Sequence, residues 1–273
     1  MRASRAAAVL AAAAVLPLMV GAGEAASATS THRLAADSTP TLKVLVTNDD
    51  GYRAPGIATV TTALAKLPNV RVFVVAPAKN QSGTGGRTKK GKLKITKGKT
   101  LGGHPAYAVH GYPADTIRAA LDDLHLHPDV VVSGINAGQN LGPAIDISGT
   151  VGAARAAVAR GIPAIAVSAG LGNTIHFKAA LPFVRRWVKH KRADLLAGSA
   201  KVHVLSMNVP SCPKGSVRRM VRIASDLNSK DFNKALRTPN CLSKKGPGKN
   251  DVTAFSRGFA TEDVIPSTPA TTS

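Results

Sequence analysis

Val44-Leu45-Val46-Thr47-Asn48-Asp49-Asp50-Gly51 is an apolar, β-rich run that ends abruptly in an amide, two adjacent carboxylates and a glycine. Ala54-Pro55-Gly56 follows, and Ile57, Val60, Leu64 and Leu67 then recur at helical spacing. The acidic pair therefore sits where a strand's carboxyl end hands over to a helix, the usual ligand position in open α/β sheets. On a regular strand Asp49 and Asp50 would point to opposite faces, but in a turn both can face one point. Two carboxylates there repel each other unless a cation lies between them or one is protonated. The competing reading is that one of them caps the following helix.

Working outward, strand-like runs alternate with helix-like ones. Val70 to Val75 is a strand ending at Ala76-Pro77, and Tyr107 to His110 is a short one. A helix starting at Pro113 carries Ile117, Leu121 and Leu124, and Asp129 to Val132 is a buried-type strand. Ser148 opens a helix with Val151, Ala154 and Val158 on one face. Pro163 to Val167 and Val202 to Met207 are two more apolar strands. Continuous apolar strands alternating with helices predict an α/β fold with a mostly parallel sheet covered on both faces. Pro182 falls among Phe177, Leu181, Val184 and Val188, so that helix either begins near Pro182 or is kinked there.

Loops after other strands should emerge on the same edge as Asp49 and Asp50. Asn80-Gln81-Ser82-Gly83 follows one strand and Ser133-Gly134-Ile135-Asn136-Ala137-Gly138 another. Ser82 and Asn136 can thus add neutral oxygen ligands, and an all-oxygen set selects Mg²⁺, Mn²⁺ or Ca²⁺ over Zn²⁺. Alone, Asn136 is equally well a turn residue. Ser148-Gly149-Thr150 at a helix start offers backbone N–H groups, a helix dipole and two hydroxyls, which is a compact phosphate cradle. Ser148 as a simple N-cap is the alternative. A divalent cation beside a phosphate cradle implies phosphoester hydrolysis, with an aspartate accepting the proton of the attacking water. Asp50 is favoured over Asp49 for that role. Gly83-Thr84-Gly85-Gly86 lacks the order of a dinucleotide fingerprint, and no G-x-S-x-G elbow is present.

The ends and the charge set further bounds. Arg2 and Arg5, the apolar run Ala6 to Val20 and the small residues Ala26-Ser27-Ala28 predict a signal peptide over 1–28, with a membrane-anchored stub as the alternative. Residues 29–41 read as a polar linker, 42–265 as one α/β domain with a C-terminal extension over 210–265, and 266–273 as a disordered tail. Export makes the protein secreted, with no transmembrane segment after signal removal. Cys212 and Cys241 are the two cysteines, and in an exported chain they pair as one disulfide or remain free thiols. With 36 basic against 15 acidic residues the net charge is +21, which favours polyanionic partners. Arg87 to Lys99 concentrates seven of the cations around Leu93 and Ile95 and predicts a basic segment with one or two exposed strands in a hairpin. It either binds polyphosphate or another polyanion, or is a solvated face.

Taken together, Asn48-Asp49-Asp50-Gly51 with Ala54-Pro55-Gly56, Val75-Ala76-Pro77 with Asn80-Gln81-Ser82-Gly83, and Gly111-Tyr112-Pro113-Ala114-Asp115 form an ordered series of signatures. Ser133-Gly134-Ile135-Asn136-Ala137-Gly138 and Ser148-Gly149-Thr150-Val151 complete it. The chain resembles the SurE family (survival protein E, 5'/3'-nucleotidases) closely over about residues 42–168, as an exported, actinobacterial-like member. The resemblance implies a Rossmann-like three-layer fold and metal-dependent hydrolysis of nucleoside monophosphates, with polyphosphate cut by some relatives. It implies one Mg²⁺ or Mn²⁺ held by Asp49, Asp50, Ser82 and Asn136, with Asn48, Gly134, Ser148, Gly149 and Thr150 around the phosphate. It also implies a homodimer or tetramer built with a C-terminal arm. Gly258-Phe259-Ala260-Thr261-Glu262-Asp263 departs from the family's usual terminal strand, which sets this chain's arm apart.

Overall fold

The computed structural model describes residues 40–228 and 231–269. The expected signal peptide, nearly all of the expected linker and the last four residues of the expected tail lie outside the described residues. Strand β1 (Leu42–Thr47) is central, because its side chains alternate between two buried faces. Val44 and Val46 point to one apolar core and Leu45 to the other. Burying each such side chain contributes about 1.5–3 kcal/mol, so the strand can sit nowhere but mid-sheet.

Around it the chain builds β2 (Val70–Pro77), β3 (Ile95–Lys99), β4 (Pro105–Val109), β5 (Val130–Ala137), β6 (Ala164–Ala169), β7 (Val204–Val209), β8 (Arg218–Arg222) and β9 (Phe259–Ile265). The sheet order is β3-β4-β2-β1-β5-β6-β7-β9-β8. Only the β3–β4 and β7–β9 pairs are antiparallel. The α-helices are α1 (Pro55–Ala65), α2 (Pro113–Arg118), α3 (Ala144–Ile147), α4 (Gly149–Val158), α5 (Leu181–Leu196), α6 (Phe232–Ala235) and α7 (Asp251–Ser256). α1 and α5 cover one face through Ile57, Val60, Leu64, Val184 and Val188. α2 and α4 cover the other through Ile117, Val151, Ala154 and Ala157. This is the expected three-layer α/β fold. Among the described residues no helix is long and apolar enough to cross a membrane.

The chain leaves β1 for β2 on one side and returns to β5 on the other, so the order reverses between β1 and β5. A crevice opens at the carboxyl ends of the strands at such a reversal. Asp49 and Asp50 follow β1 there, and Asn136 closes β5 beside them.

Local chemistry resolves two sequence ambiguities. A 3₁₀ turn over Phe177–Ala180 leads into α5, and Pro182 occupies its first turn, where the missing N–H costs nothing. Ser148 does cap α4, its Oγ accepting the Val151 N–H at 3.2 Å.

The basic segment supplies one exposed strand of a hairpin, whose bounds shift toward β4. Of residues 87–99 only Ile95–Lys99 is a strand, and its partner is β4 rather than another part of that segment. The reason lies in where the main chain of Lys89 to Gly91 spends its hydrogen bonds. Lys89 N–H donates to both Asp115 oxygens at 3.0 and 3.1 Å, and Arg118 donates to the carbonyls of Lys89 and Gly91 at 2.9 and 3.0 Å. α2 therefore holds this stretch and leaves no free ladder.

The C-terminal extension returns to its own sheet. β9 pairs with β7 from Asn208↔Thr261 to Val204↔Ile265, and β8 adds outside it. Cys212 and Cys241 form a disulfide, closing a sequence separation of 29 residues.

Candidate active site

The turn after β1 is braced by Asn48. Its Oδ1 accepts the Gly51 N–H at 3.2 Å and its Nδ2 donates to the Gly51 carbonyl at 3.0 Å. Gly51 has φ +104°, a conformation a side chain would strain. The brace turns Asp49 inward, where it is 2% exposed, and leaves Asp50 partly open.

Asp49 is met from α4. Thr150 Oγ1 donates to Asp49 Oδ1 at 2.5 Å. Gly149 is pressed against the same side chain: a Cβ there would lie 2.8 Å from Asp49 Cβ and 2.9 Å from Pro113 Cγ. Burial raises the Asp49 pKa above the usual carboxylate range, opposed by the Thr150 hydroxyl. Asp50 Oδ2 accepts the Ala137 N–H at 3.1 Å, which ties the β1 turn to the end of β5. Its pKa is raised to about 6, first by burial and then by the charge of Asp49, against the Ala137 N–H. Two carboxylates pressed together in this way are short of positive charge.

A cavity of about 180 Å³ opens beside them, lined by Asp49, Ser82, Asn136 and Ser148 among others. Asn136 Nδ2 donates to the Gly138 carbonyl at 2.6 Å, which leaves its Oδ1 as the atom to offer a cation. Ser82 comes from the loop after β2, whose position is set by Gln81 N–H donating to the Asp49 carbonyl at 2.7 Å. Among the described residues no cluster of three or more His, Cys, Asp or Glu could hold a metal. A cation here would rest on two carboxylates, a hydroxyl and an amide, a hard all-oxygen set that fits Mg²⁺ or Mn²⁺ and suits Zn²⁺ poorly.

Four of the sequence-derived residues thus share one cavity, with Asp50, Gly149 and Thr150 in contact around it. Asn48 and Gly134 stand behind it. Asn48 is occupied by the turn, and Gly134 serves strand packing: with φ +133°, a Cβ would meet the Val167 carbonyl at 2.2 Å.

Sequence reading missed the far wall. Gln139, Asn140, Leu171, Phe232 and Leu236 also line the cavity. Gln139 Nε2 donates to the carbonyls of Ala235 and Arg237 at 3.0 and 3.2 Å, and its Oε1 accepts the Leu171 N–H at 2.7 Å. Asn140 N–H donates to Asn208 Oδ1 at 2.7 Å, and its Nδ2 to Ser168 Oγ at 2.9 Å. The polar pair directly after Gly138 was a usable signal. Phe232 and Leu236 had none, because they lie nearly a hundred positions further on, inside the disulfide loop.

Comparison with known proteins agrees with this geometry. The family model for survival protein SurE matches residues 44–230. A 5'-nucleotidase SurE of Nitrosococcus oceani is 38% identical over 177 residues, 64% of this chain and 67% of that protein. A 5'-nucleotidase SurE of Desulfitobacterium hafniense is 45% identical over 145 residues, 52% and 57% of the two chains. One from Geotalea uraniireducens is 40% identical over 183 residues, 66% and 70%. The crystal structure of the SurE protein from Aquifex aeolicus superposes with a TM-score of 0.65 at 26% identity, covering 84% of this chain and 95% of that one. A strand-order reversal carrying Asp49, Asp50, Asn136 and Ser148, in a chain matched by the family model over most of its length, places this protein in the SurE family.

Proposed function

We propose that the chain is an exported, divalent-metal-dependent phosphomonoesterase that hydrolyses nucleoside 5'- or 3'-monophosphates to nucleoside and phosphate. The observation that carries this reading is the meeting of the Asp49–Asp50 pair with Ser82, Asn136 and the capped start of α4 around one small cavity. Membership of a family whose relatives are named 5'-nucleotidases supports it.

Asp49, Asp50, Ser82 Oγ and Asn136 Oδ1 would hold one Mg²⁺ or Mn²⁺, which when bound would polarise a phosphoryl oxygen and lower the pKa of a nearby water. The N–H groups opening α4 orient the phosphate through their dipole, and Ser148 sits at its edge. Asp50 is the better proton acceptor, because Asp49 Oδ1 already receives the Thr150 hydroxyl while Asp50 is less buried. Phe232 and Leu236 supply apolar surface on the far side, against which a nucleoside can pack. Export rests on the basic, apolar and small-residue pattern of residues 1–28, and a homodimer or tetramer is the assembly this reading carries.

Phosphate release from a panel of 5'- and 3'-mononucleotides, with Mg²⁺, Mn²⁺ or chelator, tests the proposal. Asp49→Asn and Asp50→Asn proteins should stay folded and lose release by a factor of roughly 100 or more. Full activity in either variant, or in chelator, would sink it.

A second substrate reading has its own observation. Lys89, Lys90, Lys92 and Lys94 are exposed on the segment that Asp115 and Arg118 hold in place. A held cationic row suits polyphosphate or an oligonucleotide 3' end better than a mobile one, since less entropy is lost on binding. Neutralising the four lysines should weaken cleavage of long polyanions and spare mononucleotides. Equal losses on both would argue against it.

A further inference from the structure

We propose that the trough under α5 at the β7–β9–β8 side of the sheet binds a small aromatic anion, a flat ring carrying a phosphate, sulfonate or carboxylate group. It encloses about 370 Å³ and shares no lining residue with the cavity at Asp49. The inference is independent of the phosphatase reading.

The trough follows from sheet register. Met207↔Glu262 in the β7–β9 pair and Arg222↔Glu262 in the β8–β9 pair set three side chains in one row across the sheet. Alternation along β8 sends Val221 to the core under α7, and Met220 with Arg222 to the α5 face. α5 overhangs that row. Its Phe183 and Trp187, four residues apart, are half-buried and face Met207 and Met220.

Two kinds of surface therefore meet in one concavity of ligand size. Phe183, Trp187 and the two methionines make a flat apolar slot, with thioethers that pack well on ring edges. Arg186, Lys191 and Arg222 ring its mouth with permanent positive charge, and His190 lies among them. Glu262 is the sole carboxylate in the lining. It pairs with Arg222 at 3.2 Å, while Lys191 pairs outside the trough with Asp194 at 3.2 Å. These are solvent-facing pairs that hold their partners weakly and exchange readily for a better anion. Arg186 makes no ion pair among the described residues. An arginine mouth over an aromatic slot selects an anion with a ring rather than a bare anion, because guanidinium binds the charge while the slot buries the ring.

Trp187 is the single tryptophan of the chain, so its emission reports on the trough directly. The full chain, with chelator present to stop turnover, is titrated with 1-naphthalenesulfonate, with adenosine 5'-monophosphate and with inorganic phosphate. The ring-bearing anions should change Trp187 emission saturably, and inorganic phosphate at the same concentrations should not. Response to the nucleotide alone would support the site and narrow its ligand to nucleotides. Response to both would leave it open to aromatic anions in general. Arg186→Ala and Arg222→Ala should each weaken binding roughly tenfold, the loss expected for one charge-assisted contact, and leave nucleotide hydrolysis unchanged. That last readout separates the trough from the cavity at Asp49. Several outcomes overturn the proposal: no saturable response, equal response to inorganic phosphate, or unchanged affinity in both variants. So does Trp187 emission that varies with protein concentration alone, because a second copy of the chain would then fill the trough.

Discussion

Replacing Asp50 by Asn should stabilise the metal-free protein at neutral pH, and only there. In the fold the Asp50 pKa stands at about 6, against an ordinary value of 3.8. The native state therefore holds the proton more tightly than the unfolded chain does. Stability from this group is fully present below about pH 3.8 and is lost as pH rises through about 6. A gap of about two units at 1.36 kcal/mol each amounts to about 3 kcal/mol. Partial solvation of the side chain reduces this to about 1–2 kcal/mol. The asparagine variant keeps the shape and an acceptor for the Ala137 N–H, and carries no charge to desolvate. In chelator at about pH 7.5 it should gain about 1–2 kcal/mol over the parent, or roughly 2–8 °C in Tm for a domain of this size. At about pH 4 the gain should vanish. Urea unfolding of both proteins at the two pH values gives the difference directly, with the disulfide kept intact. A variant that is no more stable than the parent at neutral pH, or equally stabilised at both, would refute the argument that two carboxylates are held here at a cost. Excess Mg²⁺ should reverse the ranking, because a ligand that binds only the native parent stabilises only the parent.

Gly149→Ala should cost about 1–3 kcal/mol and lower phosphate release about tenfold or more, since its Cβ would push Asp49 from 2.8 Å; unfolding curves and kcat check this. Cys212→Ser with Cys241→Ser should lose about 3–4 kcal/mol from opening the disulfide loop. It should also raise KM for nucleotides, because that loop carries Phe232 and Leu236 to the cavity. An unchanged KM would show the far wall to be uninvolved. Arg155→Ala should destabilise by about 2–4 kcal/mol by breaking a largely buried pair with Asp146 at 2.7 Å and the bond from its Nε to the Pro266 carbonyl. Its kcat should fall more than its affinity if that pair positions the turn entering Ser148.

How much was visible beforehand follows from which interactions are local. Val44 to Thr47 reads as a strand buried on both faces because every residue but one is apolar, and the turn after it reads from Asn48 and Gly51 without any partner. Ser148 reads as a helix start for the same reason: its cap bond reaches only three residues along. The sheet's parallel core and the loops sharing one edge follow from alternation. The shifted bounds of the basic hairpin show the limit. Leu93 and Ile95 carry a strand-like alternation, yet hydrogen bonds from Asp115 and Arg118, more than twenty residues away, claim the backbone of Lys89 and Gly91.

By itself, then, the amino-acid sequence determined the α/β class, the acidic turn, the candidate cation and phosphate residues and the single pair of cysteines, because each is written in patterns a few residues long. Tertiary structure alone decided that the strand order reverses between β1 and β5, where Asp50 meets Ala137. It also decided that Phe232 and Leu236 wall the cavity, that Gly134 serves packing, and that β9 returns to β7 to form the trough under α5. Those outcomes depend on the free energy of contacts between segments far apart in the chain, which no short window of sequence contains.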